Sequence, residues 1–173
     1  MWRLVALTVL VPLAAWAEAP HVHEPEQPKP WAVYFTQEDG ATEAVVEELH
    51  RAKESVRVQA VSLGSPALTK ALLDAHERGV VVAVILNARR SAKDASAAAL
   101  ANAGIKTLTD PAHRAGGTSA MVIDNRIIVT GSVGFAPTAE GSLLVIHDSA
   151  LASRYTENWY VHAGHSERYV TKP

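Results

Sequence analysis

The sequence has no cysteine among its 173 residues. That absence excludes disulfides, thiolate nucleophiles and cysteine-based metal sites together. Basic charge is also in short supply: 16 Lys and Arg stand against 18 Asp and Glu, a formal net charge of −2. A chain of that balance has no bulk attraction for nucleic acid, so any such binding must come from a local patch. The apolar run from Leu4 to Ala14 is too short to span a bilayer. Met1-Trp2-Arg3 before it and Ala15-Trp16-Ala17 after it give the pattern of a secretory signal peptide, with cleavage after Ala17. An uncleaved anchor is the alternative. Cleavage would leave 15 basic against 18 acidic side chains in a periplasmic or secreted chain.

What is present is enough apolar residue, 48%, for one substantial core. Residues 18–30 are rich in Pro, Glu and His and bury little, so they read as a flexible tether. The folded domain is expected over 31–165, with a short tail over 166–173. Trp31 to Thr36 alternates as a first strand. Ala41 to Lys53 has helical spacing, with Ala44, Val45, Leu49 and Ala52 inward, Glu43, Glu47, Glu48 and Lys53 outward, and Thr42 or Asp39 as the cap. Ser55 to Leu63 is a second strand whose Val/Arg/Val/Gln alternation leaves one face incompletely buried. Gly64-Ser65-Pro66 opens a helix that Gly79 closes.

Val80 to Leu86 is a continuous apolar run, the pattern of a strand covered on both faces. A helix over Lys93 to Ala103 and a strand over Ile105 to Thr109 follow. Two short strands, Ala120–Ile123 and Ile127–Thr130, are joined by a tight Asp124-Asn125 turn, because Asp and Asn tolerate the positive φ such turns need. Small residues at both mouths of this hairpin, Gly116 to Ser119 and Gly131-Ser132, mark a close approach to the backbone. A strand over Ser142 to Ile146 and a helix from Ala150 to about Gly164, begun by His147-Asp148-Ser149, complete the order. Strands alternating with helices predict an α/β single domain, a mixed β-sheet flanked by helices on both faces. Ligands of such sheets gather at the C-terminal strand ends, near Ser62, Arg89 and Arg90.

This order, together with Arg51-Ala52-Lys53-Glu54-Ser55-Val56-Arg57-Val58, Glu77-Arg78-Gly79-Val80, Val122-Ile123-Asp124-Asn125 and Thr130-Gly131-Ser132-x-x-Phe135, resembles the phospholipase D superfamily. The small single-domain bacterial nuclease branch is the nearest in form. The resemblance implies a His-x-Lys-x4-Asp motif on the first hairpin strand. Its His would attack phosphorus, its Lys would neutralise the non-bridging oxygens, and a second motif's His would act as general acid across a homodimer two-fold axis.

Counting back from Asp124 puts Gly117 at the nucleophile position and Ser119 at the lysine position. Neither side chain can perform that step. The Asn expected after Gly131-Ser132 is replaced by Gly134, and Gly141-Ser142 stands where an acid-containing pair would orient the His. Functions carried by a set of residues fail together, so these substitutions predict an inactive pseudoenzyme with a binding or assembly role. Two alternatives stay open. In one, His113 and Arg114 restore a nucleophile and a cation for phosphodiester hydrolysis. In the other, Ser132, Arg89 and Arg90 hold a phosphate or nucleic acid without turnover. His147 is a further nucleophile candidate by chemistry alone. His162 and His165 suit the C-terminal end of their helix, and Glu167 would be their partner in any surface metal set. No metal and no cofactor is expected.

Overall fold

A computed structural model describes residues 30–35, 40–88, 94–112, 119–132, 135 and 141–170. Its strands are β1 (Trp31–Phe35), β2 (Ser55–Ala60), β3 (Val81–Asn87), β4 (Lys106–Asp110), β5 (Ala120–Ile123), β6 (Ile127–Gly131), β7 (Ser142–His147) and β8 (Glu167–Arg168). The described helices are α1 (Ala41–Arg51), α2 (Pro66–Glu77), α3 (Ala95–Asn102) and α4 (Ser149–His165). One mixed sheet runs β1-β7-β6-β5-β2-β3-β4-β8. Among the described strands, only β2–β3 and β3–β4 pair in parallel; every other neighbour is antiparallel.

Strand alternation divides the core. Val56, Val58, Val82, Val84, Leu86, Met121, Ile123, Val129, Leu143 and Val145 face one way, where they pack with Val45 and Leu49 of α1, Leu68 and Leu72 of α2 and Leu100 of α3. Ala83, Ile85 and Leu108 face the other way, against Trp159 of α4. Val122 and Ile128 meet Ala152 of the same helix. Helices therefore cover both faces. β3 is buried on both sides from Val82 to Asn87, as its unbroken apolar run requires. On β2 the residues alternate between half-buried and buried, and Arg57 uses the looser face to stack 5.5 Å from the Tyr160 ring.

The helix starts have local causes. Ser65 accepts from Leu68 N–H at 3.4 Å and Pro66 supplies a preset φ, so α2 begins there. Asp148 accepts from Leu151 N–H at 2.9 Å and starts α4. Asp94 starts α3 by accepting from Ser96 N–H (2.9 Å) and Ala97 N–H (3.4 Å), while its other oxygen takes Leu63 N–H at 3.1 Å. α1 departs from expectation. Its N-cap is Gly40 at φ 60°, with no side-chain cap, and Thr42 lies inside the helix; Asp39 is outside the described residues. Glu48, expected outward, is buried. It lies on the edge of the Val45–Leu49 stripe, and Arg51 (3.6 Å) and His147 (3.5 Å) flank its carboxylate.

Candidate functional site

The β5–β6 hairpin has two unlike ends. At its tip, Asp124 and Asn125 adopt φ of 50° and 53°, and Arg126 N–H donates to Ile123 O at 3.0 Å. Both central residues are thus left-handed, which the Asp-Asn pair anticipates. The Asp124 carboxylate accepts three backbone N–H groups: Lys53 at 2.9 Å, Glu54 at 2.8 Å and Ser55 at 2.9 Å. Its own N–H donates to Ser55 O at 2.8 Å. The hairpin tip is therefore stitched to the connection between α1 and β2. Burial opposes ionisation of Asp124, but the N–H groups of Ser55, Glu54 and Lys53, with the nearby Arg126 charge, outweigh it and hold the carboxyl below its ordinary value.

At the other end lie Ser119, Thr130, Gly131 and Ser132. Antiparallel pairing of Gln59 with Ala120 puts this end beside the C-terminal end of β2, and parallel pairing carries the edge on to Asn87 and Asp110. Ser119 O accepts from Thr130 Oγ1 at 2.9 Å. Ser132 N–H donates to Ser142 O at 3.0 Å, and Ser132 Oγ accepts from Ser142 N–H at 3.1 Å. A Cβ on Gly131 would lie 2.1 Å from Ser142 O, so the close approach expected at this mouth is that of strand β7 itself. Phe135 is buried in the core.

The edge thus unites Ser119 and Ser132 and separates them from Asp124, which lies at the far end of β5, about 17 Å away at 3.4 Å per residue. The topology also removes His147 from contention. It pairs with Ile127 at the hairpin-tip edge, opposite to Ser119. Gly117, His113, Arg114, Arg89 and Arg90 lie outside the described residues.

One group at this edge was not foreseen. Asp110, 4% exposed at the end of β4, takes both His162 Nδ1 (2.9 Å) and His165 Nε2 (3.2 Å) on its Oδ2. Its Oδ1 accepts Ala112 N–H at 2.8 Å. Glu167, the expected partner of these histidines, is instead exposed on β8, opposite Thr109. Two-residue β8 is what turns the chain back on β4 and brings the end of α4 to Asp110. The readable signal was the i, i+3 spacing of the histidines, which puts them on one helix face.

The family model for the cardiolipin synthase, PLD-like domain matches residues 45–159. The chain belongs to the phospholipase D superfamily. A phospholipase D from Rickettsia typhi is 30% identical over 135 residues, covering 73% of this chain and 64% of that protein. One from Rickettsia prowazekii gives the same figures. The chain therefore spans somewhat less than two thirds of these relatives' length. Nuc, a phospholipase D family member from Salmonella typhimurium, superposes with a TM-score of 0.75 at 29% identity, over 82% of this chain and 98% of its own. NucT from Helicobacter pylori shares the fold, with a TM-score of 0.70 at 14% identity, over 80% of this chain and 98% of its own. The mixed sheet with helices on both faces is thus that of the small single-domain, nuclease-like branch of the phospholipase D superfamily.

Proposed function

We propose that this protein is an exported phospholipase D-like domain that has lost its reaction and works by binding or assembly. One observation carries the reading: Ser119 stands at the mouth of β5, where the superfamily's motif supplies a lysine. With glycine at 117 in the sequence, neither motif position carries the expected nucleophile or its fixed cation. Asp124 gives no counter-argument, because its carboxylate is spent on the backbone of residues 53–55 at the opposite end of the strand.

Assembly is proposed as a homodimer. Edge strand β1 exposes Trp31 (50%), Val33 (40%) and Phe35 (55%) on one face, an apolar stripe that ends beside Ser142 at the site edge. Loss of charged motif residues favours such an interface, since buried unpaired charge is costly. The decisive assay is hydrolysis of bis(4-nitrophenyl) phosphate by the purified chain. Background-level turnover is expected. Turnover abolished by His113→Ala would overturn the reading in favour of a phosphodiesterase using His113, Arg114 and Ser132.

A second reading, a non-catalytic phosphate or nucleic-acid binder, is favoured by Ser132. It is exposed at the strand-end edge, and its hydroxyl has a proton to donate while its oxygen accepts from Ser142. Salt-sensitive DNA binding weakened by Arg89→Ala and Arg90→Ala would support it, and no binding at low salt would end it.

A further inference from the structure

Asp110, His162 and His165 present three ligand atoms within 4.8 Å of one another. Their separations are informative. The distances from Asp110 Oδ2 to His162 Nδ1 and His165 Nε2 are 2.9 and 3.2 Å. Ligand atoms at about 2.0–2.1 Å around a tetrahedral zinc-like ion stand roughly 3.3 Å apart, so both carboxylate–imidazole separations need only a small outward adjustment, and the two imidazole nitrogens lie within 4.8 Å of each other. The set is also pre-oriented. Ala112 N–H holds Oδ1 and so fixes the direction of Oδ2, an outer-shell contact of the kind that metal-binding carboxylates use. The two histidines share one helix face, with ring centroids 5.4 Å apart. Both are anchored by the pairing of β8 with β4, in which Leu108 faces Arg168 and Thr109 faces Glu167. Access is graded: the side chains of Asp110 and His162 are 6% and 13% exposed, whereas that of His165 is 37% exposed and gives an entry path.

We propose that Asp110, His162 and His165 bind one divalent transition-metal ion of the zinc class. The donor set, two imidazoles and one carboxylate, suits zinc or cobalt(II) better than calcium or magnesium, which prefer oxygen ligands. Three protein ligands leave a tetrahedral ion one position for water. The bound ion ties the last turn of α4 to the end of β4. It lies three strand spacings from Ser119 on the same edge, about 14 Å. This assignment stands apart from the question of phosphodiester turnover, because it uses none of the motif positions.

The test is titration of the chelator-stripped, untagged full chain with cobalt(II), read by its visible d–d absorption, followed by displacement with zinc against a chromogenic chelator. One equivalent is expected. His165→Gln, His162→Gln and Asp110→Asn should each weaken binding by about 100-fold or more, since even outer-shell losses cost 10–100-fold. A variant with both His21→Ala and His23→Ala, the two histidines of the Pro-, Glu- and His-rich residues 18–30, should bind as the parent does. His165 is the most exposed of the three, so His165→Gln is the variant least exposed to a folding failure, and its circular dichroism is compared with the parent in chelator. Zinc should raise the melting temperature of the parent and leave that of His165→Gln unmoved. Absence of stoichiometric binding, or parental affinity in His165→Gln, would show a hydrogen-bonded cluster without metal and overturn the proposal.

Discussion

The contacts of Asp124, whose carboxylate accepts from the N–H groups of Lys53, Glu54 and Ser55, give it a role in folding. Replacing it tests that role. Asp124→Asn keeps the tolerance for φ 50° and one carbonyl oxygen, but it turns an NH2 group toward a backbone N–H that needs an acceptor. Loss of the charge and of one acceptor should cost about 1–2 kcal/mol. Asp124→Ala removes all three acceptor contacts. The half-buried Ser55 N–H is the expensive loss, at about 1–3 kcal/mol, whereas water can reach the N–H groups of Lys53 and Glu54. A left-handed alanine adds roughly another 1 kcal/mol. The total for Ala should therefore fall at about 2–4 kcal/mol, on the order of a third of the stability of a small domain.

Urea denaturation at pH 7 measures both variants. The sign with pH is fixed by linkage. The folded pKa is depressed, so the stabilisation is present above the ordinary carboxylate value of about 4 and is lost as pH falls through the folded value. The gap between parent and Asp124→Asn should accordingly narrow on acidification below pH 4. Equal midpoints at pH 7, or a gap that grows as pH falls, would refute the assignment.

Gly131→Ala should cost about 3 kcal/mol or more, because its Cβ would meet Ser142 O at 2.1 Å and part β6 from β7; a melting temperature unchanged from the parent would contradict the packing. Asp94→Ala should lose about 2 kcal/mol by freeing Ser96, Ala97 and Leu63 N–H groups together, whereas Asp94→Asn should recover much of it in the same denaturation assay. Phe35→Asp should leave stability within about 0.5 kcal/mol, as an exposed position, while shifting sedimentation from dimer to monomer; a parent that sediments as a monomer would dispose of the β1 interface.

Much of the scaffold was legible because its signals are local. The unbroken Val80–Leu86 run gives a doubly covered strand, Ser65-Pro66 and Asp148 give helix starts, and Asp124-Asn125 gives the hairpin turn. Glu48 was misplaced because charge outweighs position in a periodicity count, whereas in the fold Arg51 and His147 let it sit at the edge of the core. The candidate site was legible only where the motif is contiguous. Asp110 and the two histidines are 52 and 55 residues apart, and they meet only because a two-residue strand folds back on β4. Nothing in two residues announces a strand. The spatial order β1-β7-β6-β5-β2-β3-β4-β8 likewise cannot be read from chain order, and it is this order that sends His147 to the wrong edge.

Strand β1 has a mechanical consequence. Among the described strands it is the edge strand and pairs with β7, whereas β2 is held between β3 and β5. A chain restrained through the residues before Pro30 would feel any load first at the Pro30–His147 contact and the Trp31–Ile146 pair. A pull directed away from the sheet edge would then break the β1–β7 bonds one at a time. β1 would peel off while the sheet from β7 to β8 stayed folded. The first strand would act as a fuse, yielding before force reached the core.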